Sequence, residues 1–349
     1  MPKKIQIVEQ QLFADIRQMI EHSRVTVSQT VNAGLTLLYW NIGKRINDEI
    51  LGNHRAEYGK QTVITLSRQL VHDCGKNFEE KNLRRMMQFS EKFPAYEIVV
   101  TLSRQLSWSH FILMIPLKED LQIEFYAQMC RIENWSVRTL QKKLGSMLFE
   151  RTAISKKPEE LAKLELQALR EEDKITPDLV FRDPYILDFL NLKDTYSEKD
   201  LEKAILRELE RFILELGNGF TFVERQKRMV IDGEDFSLDL LFYHRRLKRL
   251  IAIDLKIGKF KAAYKGQMEL YLRWLEKYDV QPGEEQPVGL ILCAEGNHEQ
   301  IELLQLDAVN IKVAEYITQY LPPDLLKQKL HQFALSSKQL IEHRNEYPE

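Results

Sequence analysis

The chain has 349 residues, 44% hydrophobic and 29% charged, with a net charge of −2. That balance describes a soluble globular protein long enough for two domains, and a net charge so close to zero gives no global sign of nucleic-acid binding. No window reaches 18 uncharged apolar residues, which excludes a membrane span. The three cysteines, Cys74, Cys130 and Cys293, have no CxxC spacing, which argues against a zinc site or a disulfide framework and fits a reducing compartment.

The first residues, MPKKIQIVEQQLF, lack the pattern of a secretory signal, so a cytoplasmic protein without a membrane partner is expected. Residues 1–150 hold 20 Lys and Arg against 16 Asp and Glu, leaving the remainder at −6. Apolar spacing predicts helices over about 8–50, 59–72, 79–93, 118–132 and 136–150, the last opened by Ser136 as N-cap. TLSRQL occurs at 65–70 and again at 101–106, but the flanking residues do not match, so no repeat architecture is expected. The helices on either side of CGKNF are compatible with a helix-turn-helix. The second would present Lys81, Asn82, Arg84 and Arg85 to phosphates and bases and turn Leu83, Met86 and Phe89 inward. An ordinary helical hairpin with a solvated basic face is the alternative. Trp40, Trp108 and Trp135 read as packing anchors. Ser109-His110 has no third member in view, which speaks against a hydrolase triad.

Residues 151–180 are charge-rich and poor in aromatics, with a polar helix between Pro158 and Pro177. They read as a connector. From 184 onward the pattern alternates. A helix over about 197–216 stops at LGNGF. Three strand-like runs follow, then a helix over 261–278, a buried strand at VGLILCA, a short helix and a strand at 311–316. The order is α-β-β-β-α-β with an added α-β, which predicts a mixed sheet flanked by helices.

Two of those strands form SLDLLFYHRRLKRLIAIDLKIG, residues 237–258. With a turn centred on Arg246-Leu247, Asp239 and Asp254 stand across from each other, and Lys256 shares their face. Two carboxylates held that close need a proton or a cation between them. A hard cation such as Mg²⁺ or Mn²⁺ suits two carboxylates plus water and phosphate. Lys256 would neutralise phosphate charge or orient water, which is equipment for phosphodiester hydrolysis. Lys259, Lys261 and Lys265 then enter a helix N-terminus that would attract phosphate. A surface ion pair is the competing reading for Asp254 and Lys256. It loses weight because both strands are strongly apolar and Asp239 falls in register.

These residues resemble the PD-(D/E)XK nucleases, with Leu238 where the motif name has proline. More narrowly, the chain resembles the YhcG group of PD-(D/E)XK nuclease-domain proteins. YWNIGKRI, YGKQTVITLSRQL, NLRRMMQF, LSWSHF, FVERQKR, DFSLDLLFYHRRL, IDLKIGKF, GQMELYL and LILCAEG carry the likeness over about residues 35–320. That group usually has Glu where this chain has Asp254, a conservative change. The resemblance implies an α+β chain: a helical DNA- or partner-binding domain over 1–150, a helical connector over 151–180, a restriction-endonuclease-like α/β domain over 181–335 and a tail over 336–349. It implies a Mg²⁺- or Mn²⁺-dependent endodeoxyribonuclease acting on DNA, with Asp239, Asp254 and the Leu255 carbonyl as metal ligands and Lys256 as the catalytic lysine. Glu202 would join from the preceding helix, with Glu208 and Glu215 as alternatives. Gln267, in the catalytic set, and Tyr271, a nucleic-acid contact one helical turn away, would lie near the metal or the DNA, and Gln226 would point in from the first strand as a further nucleic-acid contact. A weakly active or inactive DNA-binding scaffold in a defence, restriction or mobile-element system is the other function considered. A protein partner or homodimer is compatible with either.

Overall fold

A computed structural model describes residues 2–52, 56–192, 195–322 and 324–330. The chain divides into two compact units, Met1–Lys142 and Lys143–Glu349.

The first unit is helical. Its elements are α1 (Pro2–Gly52), α2 (Ala56–Cys74), α3 (Glu80–Lys92), α4 (Tyr96–Ser103), α5 (Trp108–Met114), α6 (Asp120–Glu133) and the start of α7 (Val137–Gly145). Apolar residues at helical spacing put Leu83, Met86 and Phe89 of α3 completely out of solvent, as the 3.6 period requires. The α3 backbone lies directly on α1, and a Cβ at Gly43 would stand 1.8 Å from the Met86 carbonyl oxygen. Only glycine allows that approach. Trp40 Nε1 donates to the Phe93 carbonyl at 2.7 Å, and Asn47 donates to Met87 O and Ser90 Oγ, both at 2.9 Å. Phe89, Phe93 and Phe111 stack edge and tilt within 5.5 Å of one another. Ser136 caps α7, its hydroxyl accepting from Thr139 N at 3.1 Å. The two copies of TLSRQL adopt different structures: the first lies inside α2, the second runs off the end of α4.

The second unit adds α8 (Leu148–Arg151), α9 (Glu159–Glu172), α10 (Pro177–Val180), α11 (Glu198–Arg207), α12 (Leu209–Leu216), α13 (Ala263–Tyr278) and α14 (His298–Leu303). Its strands are β1 (Tyr185–Ile186), β2 (Phe220–Ile231), β3 (Glu234–His244), β4 (Arg249–Lys259), β5 (Val288–Glu295) and β6 (Ile311–Ile317), in the order β1-β6-β5-β4-β3-β2. β2, β3 and β4 are antiparallel; β4, β5, β6 and β1 are parallel. The sheet is therefore mixed, with helices on both faces. Leu201, Ile205, Phe212 and Leu216 of α11 and α12 pack on Leu240, Phe242, Ile251, Ile253 and Leu290. Met268, Tyr271, Leu272 and Leu275 of α13 pack on Leu241, Ala252, Ile291 and Cys293. Short β1 and the break at Glu208 between α11 and α12 do not show in the hydrophobic pattern, which reads 197–216 as one helix. Among the described residues, no helix is long and apolar enough to cross a membrane.

Candidate active site

The β3–β4 hairpin follows the register read from its sequence, from His244 opposite Arg249 to Leu240 opposite Ile253. Asp239 and Asp254 are the next pair in that register, but the ladder stops one pair short of them. The Leu255 N–H donates to Asp239 Oδ2 at 2.8 Å. The point where the strands part is the point where the carboxylates stand.

Asp254 is 3% exposed and Lys256 9%, although both lie on a central strand. Lys256 Nζ is 2.8 Å from Asp254 Oδ2 and 5.2 Å above the centre of the Tyr264 ring. Burial pushes the Asp254 pKa up to about 6; Lys256 pulls against this, while Asp239 and Glu198 add to it. Asp239 is also raised, first by burial, despite the Leu255 N–H, Lys256 and Gln226. Burial disfavours the Lys256 ammonium, but Asp254, with Glu198 and Asp239 behind it, outweighs burial and sets its pKa above the ordinary lysine value.

Two glutamates of α11 face this cluster one turn apart. Ser197 opens the helix with a capping box on Asp200, which fixes where the first turn begins. Glu198 Oε1 accepts from the Ile257 N–H at 3.4 Å, beside Lys256. Glu202 Oε2 accepts from Gln226 Nε2 at 2.9 Å, and the same nitrogen reaches Asp239 Oδ1 at 3.2 Å. Gln226 lies in β2 with φ of 47°. A non-glycine residue in that left-handed region costs about 1–2 kcal/mol. Its neighbours keep their pairing, Arg225 with Leu240 and Lys227 with Leu238, so the twist is confined to the residue that stands across from Asp239. Ser237 Oγ donates to Gln226 Oε1 at 2.7 Å. On α13, Gln267 Nε2 donates to Tyr271 Oη at 2.7 Å, and that hydroxyl donates to the Ser237 carbonyl at 3.1 Å. From the other side, Tyr316 Oη donates to the Lys256 carbonyl at 3.2 Å.

Asp239, Asp254, the Leu255 backbone, Lys256, Glu202, Gln226, Gln267 and Tyr271 are thus brought together. The Leu255 side chain itself is buried in the α11–α12 core. Glu198 is a neighbour that sequence reading passed over. Its signal was available: it precedes Glu202 by four residues, on the same helical face. The other helix glutamates go elsewhere. Glu208 lies beside Arg207 and Arg211, at 3.9 and 3.6 Å. Glu215 is held by Arg151 at 2.6 Å and by Arg182, and accepts from the Ile186 N–H. Of the three lysines at and beyond the end of β4, Lys259 pairs with Glu295 at 2.7 Å. Lys265 donates to the Leu304 carbonyl at 3.2 Å. Lys261 is exposed without an ion pair among the described residues.

In the first unit, Lys81 is exposed, but Arg84 and Arg85 are half-buried. Arg84 pairs with Glu80 at 2.7 Å and Arg85 donates to Asn82 Oδ1 at 3.4 Å. The helix they occupy packs on α1 along its inward face. His110 is likewise structural: its ring bonds to Ser107 and to the Trp135 carbonyl, at 3.0 Å in each case.

A six-stranded mixed sheet with a carboxylate pair and a lysine at the parting of two central strands defines a class, and comparison with known proteins gives the same one. Residues 178–331 match the family described as the YhcG PDDEXK nuclease domain, and residues 15–151 match the DUF1016 N-terminal domain. The chain is 36% identical over 316 residues to the Escherichia coli (strain K12) protein named "Putative nuclease YhcG", covering 82% of this chain and 84% of that one. It belongs to the YhcG family of PDDEXK nuclease-domain proteins. Two solved structures also align with it. One is a repair endonuclease from Pyrococcus abyssi, at 20% identity over 38% of this chain and 50% of that one, with a TM-score of 0.25. The other is EndoMS in apo form, at 16% identity, 37% and 49% coverage and a TM-score of 0.25. The chain spans about half the length of each.

Proposed function

We propose that this nuclease is a divalent-cation-dependent endodeoxyribonuclease, with its reaction centre at Asp239, Asp254 and Lys256. The observation that carries this reading is a charge imbalance. Three carboxylates, Asp239, Asp254 and Glu198, act on one another against a single lysine, and both aspartates are raised in pKa. A buried Asp254 beside a half-buried Asp239, both in that state and with the exposed Glu198 adding to them, calls for a cation.

Among the described residues, no group of three His, Cys, Asp or Glu side chains is arranged to hold a metal ion. The donor set fits Mg²⁺ or Mn²⁺, which are held by one or two carboxylates and complete their shell with backbone, water and substrate phosphate. Asp239, Asp254 and the Leu255 carbonyl would be the protein ligands. When bound, the ion would neutralise phosphate charge and lower the pKa of a water. The chain's own residues supply the rest. The Leu255 N–H and Gln226 fix the Asp239 carboxylate, and Lys256 fixes Asp254. Water attacks phosphorus and gives up a proton to solvent, the bond to the leaving sugar oxygen breaks with that oxygen taking a proton from solvent, and the Lys256 ammonium stabilises the charge that develops on the phosphate. Lys261, Lys259 and Lys265 would line the approach of the DNA backbone, with Gln267 and Tyr271 beside it. The helical unit, with Lys81, Arg84 and Arg85, would dock DNA or a protein partner. The reaction would take place in the cytoplasm.

The test is cleavage of supercoiled, linear and branched DNA and of RNA by the full chain, with Mg²⁺, Mn²⁺ or EDTA, beside Asp254→Asn. DNA cleavage that needs the cation and falls about 10²–10³-fold in the variant is expected. Cleavage that survives EDTA or the substitution overturns the reading. Cleavage of RNA alone overturns the substrate assignment.

A further inference from the structure

We infer that Gln226 is a positioning residue for Asp239, and that it couples Glu202 of α11 to the cation site. This inference rests on the reading above and deepens it: Gln226 acts on the carboxylate geometry and not as a contact to nucleic acid.

Three observations carry it. The first is the hydrogen bonding. Both N–H groups of the amide face carboxylates, Glu202 Oε2 at 2.9 Å and Asp239 Oδ1 at 3.2 Å, while its carbonyl accepts from Ser237 at 2.7 Å. A glutamine has two side-chain donors, and here both are spent inside the site, although the residue lies at the solvent-exposed mouth of the cluster. Two carboxylates that would otherwise repel are joined by one neutral amide.

The second is the backbone. Gln226 is the one residue interrupting the β2–β3 pairing between Arg225–Leu240 and Lys227–Leu238, and it does so with φ of 47°. A local distortion of an edge strand re-aims a side chain, and this one aims the amide at the carboxylates. Unusual φ persists only where surrounding structure over-determines it. The three side-chain bonds are that structure.

The third is continuity. Ser237, which fixes the Gln226 carbonyl, also accepts from Tyr271 Oη through its own carbonyl, and Tyr271 accepts from Gln267. One chain of hydrogen bonds runs from α11 through β2 and β3 to α13, and Asp239 hangs from its middle. Asp239 Oδ2 is fixed independently by the Leu255 N–H. With both oxygens pinned, the carboxylate plane is set before any cation arrives. Groups that orient a ligand in this way typically change metal affinity 10–100-fold when removed.

The experiment measures Mn²⁺ binding to the full chain by titration calorimetry, alongside thermal unfolding and duplex DNA binding in EDTA. Gln226→Met keeps the length and removes the hydrogen bonds. Gln226→Gly removes them and also relieves the left-handed backbone, so a folded variant is secured. Asp254→Ala is the control. The expected result is a 10–100-fold loss of Mn²⁺ affinity in both Gln226 variants, with duplex binding in EDTA unchanged and with cleavage by Gln226→Gly recovering as Mn²⁺ is raised. Unchanged Mn²⁺ affinity in the Gln226 variants, beside its loss in Asp254→Ala, overturns this inference and leaves the nuclease reading standing. Weaker duplex binding in EDTA without a change in Mn²⁺ affinity also overturns it, by making Gln226 a nucleic-acid contact. A parent chain that binds no Mn²⁺ overturns both.

Discussion

Two buried charge clusters in the second unit differ in balance. At the end of α12, the half-buried Glu215, its side chain 16% exposed, sits between the buried Arg151 and Arg182 and accepts from the Ile186 N–H. Burial disfavours its charge, but the two guanidinium groups prevail, and its pKa lies below the ordinary carboxylate value. At the parting of β3 and β4, Asp254 is more deeply buried, at 3% exposure, three carboxylates there share one lysine, and its pKa rises to about 6. Burial is common to both. What separates structure from site is whether the protein supplies the counter-charge itself.

That contrast predicts opposite responses to neutralising substitutions. Glu215→Ala removes the carboxylate that two buried arginines share and should cost about 3–5 kcal/mol of stability. The protein that remains folded should cleave at the parental rate. Asp254→Asn removes charge from a site where carboxylates outnumber the one lysine, so it should leave the melting temperature level or raise it while cleavage collapses. Thermal unfolding of the two variants, with activity measured per folded molecule, checks both. A stability loss in Asp254→Asn matching that of Glu215→Ala would remove the distinction.

The same contrast explains what could be read from sequence. The hairpin register was readable because a four-residue turn and strict alternation leave few choices, and the pairs from Leu240–Ile253 to His244–Arg249 follow it. The parting of the strands at Asp239 was not, since it depends on a carboxylate taking the Leu255 N–H from outside the ladder. Helix glutamates could not be sorted by spacing, because Glu202 and Glu215 differ in what α12, β1 and β2 bring to them. The left-handed turn at Gln226 has no local sequence signature, and glycine or asparagine would be the ordinary choice there. Ring and lysine met at Tyr264 only through the packing of α13 on β4 and β5. Gly289 permits that packing, since a Cβ there would fall 2.6 Å from Met268 Sδ.

His244 sharpens the comparison with a third state, buried and neutral. Its Nδ1 accepts from the Leu247 N–H at 3.1 Å, so Nε2 carries the proton and donates to the Asn218 carbonyl at 3.1 Å. Burial, helped by Arg246 and Arg249, lowers its pKa from 6.5 to about 4. The unfolded chain therefore takes up the proton first as pH falls. The stabilising contribution is complete above about pH 6.5 and is lost progressively down to about pH 4, amounting to about 3 kcal/mol. Denaturant melts of the parent and of His244→Gln across that window should show the difference narrowing as pH falls. A gap that does not change with pH would mean that the ring is charged in the native state.

The smallest expected effect tests how the single lysine is held. Lys256 Nζ stands over the Tyr264 ring at 5.2 Å, on the side of the ammonium left open by Asp254. An ammonium over an aromatic face is worth about 0.5–2 kcal/mol, through the ring and not the hydroxyl. Tyr264→Phe should therefore cleave like the parent, whereas Tyr264→Leu should lose roughly fivefold, the equivalent of about 1 kcal/mol. On the proposed role of Lys256, meeting charge that grows on the phosphate, the loss should fall on kcat and not on KM. An equal loss in both variants would assign the effect to the hydroxyl. A loss confined to KM would make the ring a surface that DNA touches. Either result would weaken the picture of one lysine, oriented from two sides, standing against three carboxylates.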